Sequence, residues 1–194
     1  MPIHKGDQVV VIGAGNVAMD AARTALRLGA EKVTVVYRRT EKDITALKSE
    51  YDHAKSEGVE FCWLAAPTAF IGRNNLDGLE CEIQEFDENN NLCGTGQNIV
   101  IPAQKALLAV GQRPATRILS TTTGIEVNQY GYVITRERPY GMSTKVGVFA
   151  GGDVVHQPAT VVLAMKEAKK VALGIAQYIE AKKLIEDCSL QIIK

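Results

Sequence analysis

The run Val9-Val10-Val11-Ile12, followed at once by Gly13-Ala14-Gly15-Asn16-Val17-Ala18, constrains this chain more than any other feature. A short continuous apolar run closed by glycine reads as a strand buried on both faces, as in a parallel sheet. From Asn16 to Leu28 the residues Val17, Ala18, Ala21, Ala22, Ala25 and Leu28 recur at helical spacing, and Gly29 supplies a C-terminal cap. Strand, glycine turn and helix in that order make the Gly-x-Gly-x-x-Ala form of the dinucleotide fingerprint. Gly13 permits the tight turn, Gly15 lets pyrophosphate oxygens approach the backbone, and Ala18 lets the helix pack close to the sheet. The unpaired N–H groups at the helix start, around Asn16 and Val17, face the anion.

The chain continues in the same style. Val33 to Tyr37 is a second β-branched run, Ala46 to Ser56 a helix closed by Gly58, and Val59 to Leu64 a third strand. The order βαβαβ implies a parallel sheet. Leu79 to Phe86, the polar turn Asp87 to Asn91 and Asn98 to Ile101 then read as an antiparallel hairpin or meander. Lys105 to Val110 is another buried strand, stopped by Gly111. Gln112 to Lys145 is turn-rich, with short strand candidates at Ile125 to Val127 and Tyr132 to Ile134. Val148 to Ala150 is an apolar strand ending in Gly151-Gly152-Asp153. Ala159 to about Lys183 is a long amphipathic helix, with Val161, Val162, Met165, Ala168, Ala172, Ile175, Ala176 and Ile179 on one side. The last residues read as a tail or docking strand. The fold class expected is α/β, a Rossmann-like parallel sheet with helices and an antiparallel β-meander.

The end of the second strand selects the cofactor. A carboxylate there holds the ribose hydroxyls of NAD and repels a 2′-phosphate. This chain instead has Tyr37-Arg38-Arg39. A guanidinium fork pairs naturally with phosphate. The coincidence of the two arginines with the ribose position favours NADPH over the reading of a solvated turn.

A second signature follows the strand at Val148 to Ala150. Gly151-Gly152 allows a ligand to approach the backbone, and Asp153 offers a carboxylate to a polyol hydroxyl. The helix beginning at Gln157-Pro158-Ala159-Thr160 can turn its positive end to a pyrophosphate or a flavin edge. Alternatively Asp153 caps the helix region and the glycines serve a turn. The residues alone leave both readings open.

Composition excludes several classes of function. Lys plus Arg equals Asp plus Glu, at 22 each, so no global field recruits nucleic acid or anionic membrane. The N-terminus carries no signal pattern, and no apolar run reaches the ~20 residues of a membrane span. Cys62, Cys81, Cys93 and Cys188 make no Cys-x-x-Cys pair, so neither a metal site nor a dithiol centre is expected; three of them, in apparent strands or turns, read as buried free thiols of a reduced, cytoplasmic protein. His4, His53 and His156 are scattered, and Glu50 and Asp52 read as a solvated helix face. No residue is nominated as catalytic.

The stretches GAGNVAMDAARTALRLGA, VTVVYRRT, AVGQRP and VFAGGDVVHQPATVVLAMKEAKKVA, in this order over nearly the whole chain, resemble the small subunit of bacterial glutamate synthase and its relatives, which include the flavin domains of dihydropyrimidine dehydrogenase. In that family an NADPH domain is inserted into an FAD domain. The resemblance implies that residues 1–110 form the NADPH domain and 111–194 the C-terminal strand–helix half of a split FAD-binding domain. It places Gly13, Gly15 and Ala18 on the NADPH pyrophosphate, and Arg38 and Arg39 on the 2′-phosphate. Ala109, Gly111 and Gln112 form the return from the NADPH domain. Gly152 and Asp153 serve the FAD ribityl chain, and Ala159, Thr160 and Val161 lie beside the isoalloxazine. The activity implied is hydride transfer from NADPH to FAD and onward to iron–sulfur centres or a partner subunit.

The departures shape the remaining expectations. The glycine-rich start of the FAD domain and the iron–sulfur cysteines that precede it in the family are absent, so the chain reads as a truncated portion that binds NADPH. FAD then binds only if the other half is supplied, and the chain alone is expected to be inactive. The alternative is a non-catalytic nucleotide-binding or interaction subunit completed by a partner chain, such as a glutamate synthase large-subunit-like protein. The long helix, deprived of that half, is expected to drive homo-oligomer formation. Where relatives carry Met-Pro-Ala, this chain has Ile44-Thr45-Ala46, and a glycine common in the final helix is Ala168.

Overall fold

The computed structural model describes residues 2–112, 121–157 and 160–192. They fall into two compact units, Met1–Gly111 and Gln112–Lys194. In the first, β1 (Gln8–Ile12), α1 (Asn16–Arg27), β2 (Lys32–Tyr37), α2 (Lys48–Ser56), β3 (Glu60–Trp63), β4 (Ala65–Ile71), β5 (Gly78–Phe86), β6 (Leu92–Pro102) and β7 (Lys105–Leu108) follow one another. Four strands form a sheet in the order β3-β2-β1-β7, and three form a second sheet in the order β4-β5-β6. All pairings in the first sheet are parallel, with Ile12 opposite Val36 on one side and Leu108 on the other.

The alternation of side chains across a strand explains why β1 is continuously apolar. Val9, Val11, Val33 and Val35 join Ala18, Met19, Ala22, Ala25, Tyr51 and Ala54 of the two helices in one core cluster. Val10, Ile12 and Val36 join Ala65, Leu79, Cys81 and Ala103 in the other, on the side of the meander. Both faces of the sheet are therefore covered. Each buried valine contributes about 1.5–3 kcal/mol relative to an exposed one.

The helix pair is clamped by charge. Arg23 bridges Glu50 at 2.7 Å and Glu57 at 2.8 Å, and Arg27 reaches Glu57 at 2.6 Å. Glu50 is thus half-buried and paired rather than part of a solvated face, because its helix packs beside α1. The two arginines hold the Glu57 carboxyl below the usual carboxylate range, Arg23 contributing most. Among the cysteines only Cys81 is fully buried; Cys62 and Cys93 are intermediate and Cys188 is exposed. Burial pushes the Cys81 thiol up to about 11, and Cys62 in the same direction.

Some elements differ from the expectation. Helix α2 begins at Lys48 rather than Ala46 because the loop before it is drawn to the glycine turn. Strand β4 carries no strand pattern in the sequence: Ala65-Ala66-Pro67-Thr68-Ala69-Phe70-Ile71 contains a proline and is mostly exposed, as an edge strand tolerates.

In the second unit, β8 (Thr135–Glu137) and β9 (Tyr140–Ser143) form a short antiparallel pair, and α3 spans Val161–Ile192. The candidates Ile125 to Val127 and Tyr132 to Ile134 make only the single bridge Val127–Val133, around a turn in which Asn128 Oδ1 accepts the N–H groups of Tyr130 and Tyr132. Phe149 likewise makes a single bridge, to Met142. The expected tail is helical as far as Ile192, since Leu184 to Ile192 contains no glycine or proline to stop it.

The face of α3 that packs within this unit is not the broad apolar stripe. Ala164, Glu167, Val171, Gly174 and Tyr178 are its more buried positions. A Cβ on Gly174 would stand 2.2 Å from the Tyr140 carbonyl oxygen, and one on Gly141 or Gly151 would strike Val171. Phe149 packs edge-on against Tyr178. Gly141 of β9 and Gly151, beyond the Met142–Phe149 bridge, leave a surface without side chains that accepts Val171, and Gly174 lies against the Tyr140 backbone. The broad apolar stripe is the exposed one: Val161, Val162, Met165, Leu173 and Ile179 are all exposed. Among the described residues no helix is long and apolar enough to cross a membrane, and no cluster of His, Cys, Asp and Glu is placed to hold a metal.

Candidate functional site

The carboxyl ends of the parallel strands converge. β1 runs into Gly13, β2 into Arg38-Arg39 and β7 into Ala109, with β2 and β7 on opposite sides of β1. In an open α/β sheet this reversal of strand order is where a crevice for a ligand forms.

Gly13 takes φ +124, and a Cβ there would stand 2.3 Å from the Ala109 carbonyl oxygen. Its own N–H donates to Val36 O at 3.0 Å, while Ala109 N–H donates to Ile12 O at 2.8 Å. The turn is therefore bound on both sides. Gly15 is the N-terminal cap of α1; no side chain caps it and the first turn carries no acid. The helix start is thus a positive end with free amides, open to an anion. Val17 is exposed there and Ala18 fully buried against the sheet. Asn16 plays a different part: its Oδ1 accepts Leu47 N–H at 2.7 Å and so holds the loop before α2.

The loop after β2 is ordered from within. Thr40 N–H and Oγ1 both donate to Asp43 Oδ2, at 3.1 and 2.7 Å, and these bonds hold the Asp43 carboxyl below its usual range. Tyr37 O–H donates to Asp43 O, and Leu64 N–H to Arg39 O. Glu41 accepts the Tyr51 hydroxyl at 2.6 Å; burial first, and this contact second, push that hydroxyl up to about 12. The nearby acids are thus engaged. Arg38 and Arg39 are exposed and have no ion-pair partner among the described residues. Gly111 takes φ +84, and Gln112, at the start of the second unit, is exposed.

In the second unit Gly152–Val154 forms a 3-10 turn with Gly152 at φ +72 and Asp153 exposed. Thr160, not Asp153, caps α3: its Oγ1 accepts Leu163 N–H at 3.3 Å and its carbonyl Ala164 N–H at 3.1 Å. The capping role considered for Asp153 is therefore taken by another residue. Val161 is exposed, and Ala159 lies outside the described residues.

Beside this turn is a cluster that sequence patterning did not single out. Glu167 accepts the Tyr140 hydroxyl, Lys170 Nζ at 3.2 Å and His156 Nε2 at 3.4 Å, and Lys170 lies over the Tyr140 ring. The Tyr140 hydrogen bond, with smaller contributions from Lys170 and His156, holds the Glu167 carboxyl below its usual range. The cluster ties α3 to β9 and to the residues after Asp153. Its only sequence signal was the i, i+3 pair Glu167 and Lys170.

The profile of the pyridine nucleotide-disulphide oxidoreductase family matches residues 2–168. The chain is 35% identical over 184 residues to the glutamate synthase (NADPH) small chain of Halomonas elongata, covering 91% of this chain and 39% of that protein. It is 36% identical over 186 residues to the beta subunit of an NADP(+)-dependent formate dehydrogenase of Moorella thermoacetica, covering 92% of this chain and 26% of that protein. The chain thus spans well under half the length of these relatives. Among solved structures, T. acidophilum thioredoxin reductase superposes with a TM-score of 0.75 at 23% identity, over 92% of this chain and 54% of that one. FprA of Mycobacterium tuberculosis gives 0.67 at 19%, over 92% and 54%. At such identities these two show the fold alone.

Proposed function

The chain belongs to the pyridine nucleotide-disulphide oxidoreductase family, and from that premise we propose that its first unit is the NADPH-binding module of a flavin-dependent electron-transfer enzyme resembling the glutamate synthase small chain. The observation that carries this reading is the pair Arg38 and Arg39, exposed and unpaired among the described residues at the carboxyl end of β2, where an NAD-selective site presents an acid. Gly13 and Gly15 admit the pyrophosphate, the α1 amides meet its charge, and the arginine forks meet the 2′-phosphate.

When bound, the nicotinamide supplies a hydride to a flavin, whose own chemistry passes electrons onward. The protein's task in such a reaction is placement, and it requires no side-chain acid or base. In the second unit the exposed Asp153 and the turn at Gly152 offer one side of a flavin site: a carboxylate for a polyol hydroxyl and a backbone that a ligand can approach. The remaining walls would come from a further stretch of polypeptide, in the same protein or in a partner chain. The two relatives described above, a small chain and a beta subunit, support an assembly of this kind. A nucleotide-binding subunit without turnover is the second reading, favoured by the exposure of Asp153 and of the α3 stripe.

Titration of the purified chain with NADPH, NADH and FAD tests the proposal. NADPH should bind more tightly than NADH, and FAD weakly or not at all. Stoichiometric tight binding of FAD by this chain would refute the half-site reading.

A further inference from the structure

The surface of Gly15 carries a neighbour that the glycine fingerprint does not include. The second glycine of such a loop is small so that a pyrophosphate oxygen can come to the backbone on the side a Cβ would occupy. At Gly15 the nearest atom to that Cβ position is Thr45 Oγ1, at 3.4 Å. Thr45 is exposed, and its hydroxyl stands 3.5 Å from Ala14 O, at the outer limit of a hydrogen bond. A nearer anionic acceptor therefore outcompetes that contact.

The placement of Thr45 is built rather than incidental. The N–H groups of Thr45 and Ala46 both donate to Ala14 O, at 3.2 and 3.1 Å. Leu47 N–H donates to Asn16 Oδ1 at 2.7 Å, a bond across thirty-one positions of sequence. Three successive residues of the loop are thus anchored to the glycine turn and the first residue of α1.

We propose that Thr45 is a pyrophosphate ligand of the dinucleotide site and that Asn16 is the positioning residue that latches its loop beside Gly15. The proposal rests on the dinucleotide reading above and adds a second wall to it. Pyrophosphate is common to NADPH and NADH, so Thr45 contributes to the affinity for both and nothing to the choice between them. Arg38 and Arg39 contribute to the choice. The two effects separate in one experiment.

NADPH and NADH are titrated against the full chain and its Thr45→Val, Thr45→Ser, Asn16→Ala and Asn16→Ala/Thr45→Val variants, with Arg38→Ala/Arg39→Ala as the selectivity standard and thermal unfolding recorded for each. Thr45→Val is expected to weaken both cofactors by the same factor, roughly tenfold, with Thr45→Ser restoring most of the loss. Asn16→Ala is expected to weaken both as well, and to add little to Thr45→Val, because it acts through the same contact. The arginine variant should weaken NADPH alone. Wild-type or tighter binding by a folded Thr45→Val chain overturns the proposal, and full additivity of the double variant overturns the latch. If the wild-type chain binds neither cofactor, the dinucleotide reading itself falls, and this inference with it.

Discussion

A Cβ on Gly13 would stand 2.3 Å from the carbonyl oxygen of Ala109. The turn that leaves β1 and the end of β7 are therefore in backbone contact, and the glycine is required twice, by that approach and by φ +124. Gly13→Ala should destabilise the chain by about 2 kcal/mol or more, since left-handed strain and steric overlap each cost of that order. Thermal unfolding checks this, and a variant that melts with the wild type would show that the turn relaxes freely.

Gly174 offers a sign test for the second unit. In an exposed helix, Gly→Ala stabilises by roughly 1 kcal/mol. Here the new methyl would lie 2.2 Å from Tyr140 O, so α3 must move off β9. Gly174→Ala should lower the unfolding temperature rather than raise it. At Ala168, which is exposed and packs on nothing comparable, Ala168→Gly should cost only the propensity difference, roughly 1 kcal/mol.

The clamp between α1 and α2 gives a pH dependence. Glu57 is held below the ordinary carboxylate value of 4.5 by Arg23 first and Arg27 second. A carboxyl with a lowered folded pKa stabilises fully above its unfolded value, and the contribution is lost as pH falls through the folded one. Asp43 and Glu167 shift in the same direction. Stability should fall from about pH 4.5 downward, and Glu57→Gln should be less stable than wild type at neutral pH but converge with it in acid. Parallel curves for the two proteins would show that the clamp contributes nothing.

The cysteines should be distinguishable by reaction rate. Burial holds Cys81 as the thiol up to about 11, whereas Cys188 is exposed. Since the thiolate is the reactive form, alkylation of the folded chain at pH 8 should label Cys188 and spare Cys81. Peptide mapping by mass spectrometry reads this directly.

Legibility in the sequence followed the physics of each element. β1 and β2 could be read because strands covered on both faces carry nearly uninterrupted β-branched and apolar residues, β3 at the sheet edge from its aromatic run after Gly58, and Gly29 and Gly58 mark where α1 and α2 stop. β4 was hidden by Pro67 and by its exposure at a sheet edge, and β8 and β9 by their three- and four-residue length. The broad apolar stripe of α3 was legible from periodicity, whereas the ridge that packs on β9 was not, because large apolar residues dominate a periodicity count. That contact is made by Ala164, Val171, Gly174 and Tyr178, and Ala164 and Gly174 serve it by being small. The positions of Gly13 and Gly15 after β1, and of Arg38 and Arg39 after β2, were legible from spacing. The Asn16–Leu47 bond and the Thr45 hydroxyl were not, since both depend on how a loop thirty residues away settles onto the turn.

The central claim is that this crevice selects a 2′-phosphate through Arg38 and Arg39. The most direct measurement is the ratio of NADPH to NADH affinity, by calorimetric or fluorescence titration, for the wild-type chain and for Arg38→Glu/Arg39→Glu. The expected result is a clear preference for NADPH in the wild type, with NADPH binding weakened in the variant by about 2–4 kcal/mol, roughly 30- to 700-fold, and NADH changed far less. Equal affinities in the wild type, or a preference that survives the double charge reversal, would contradict it.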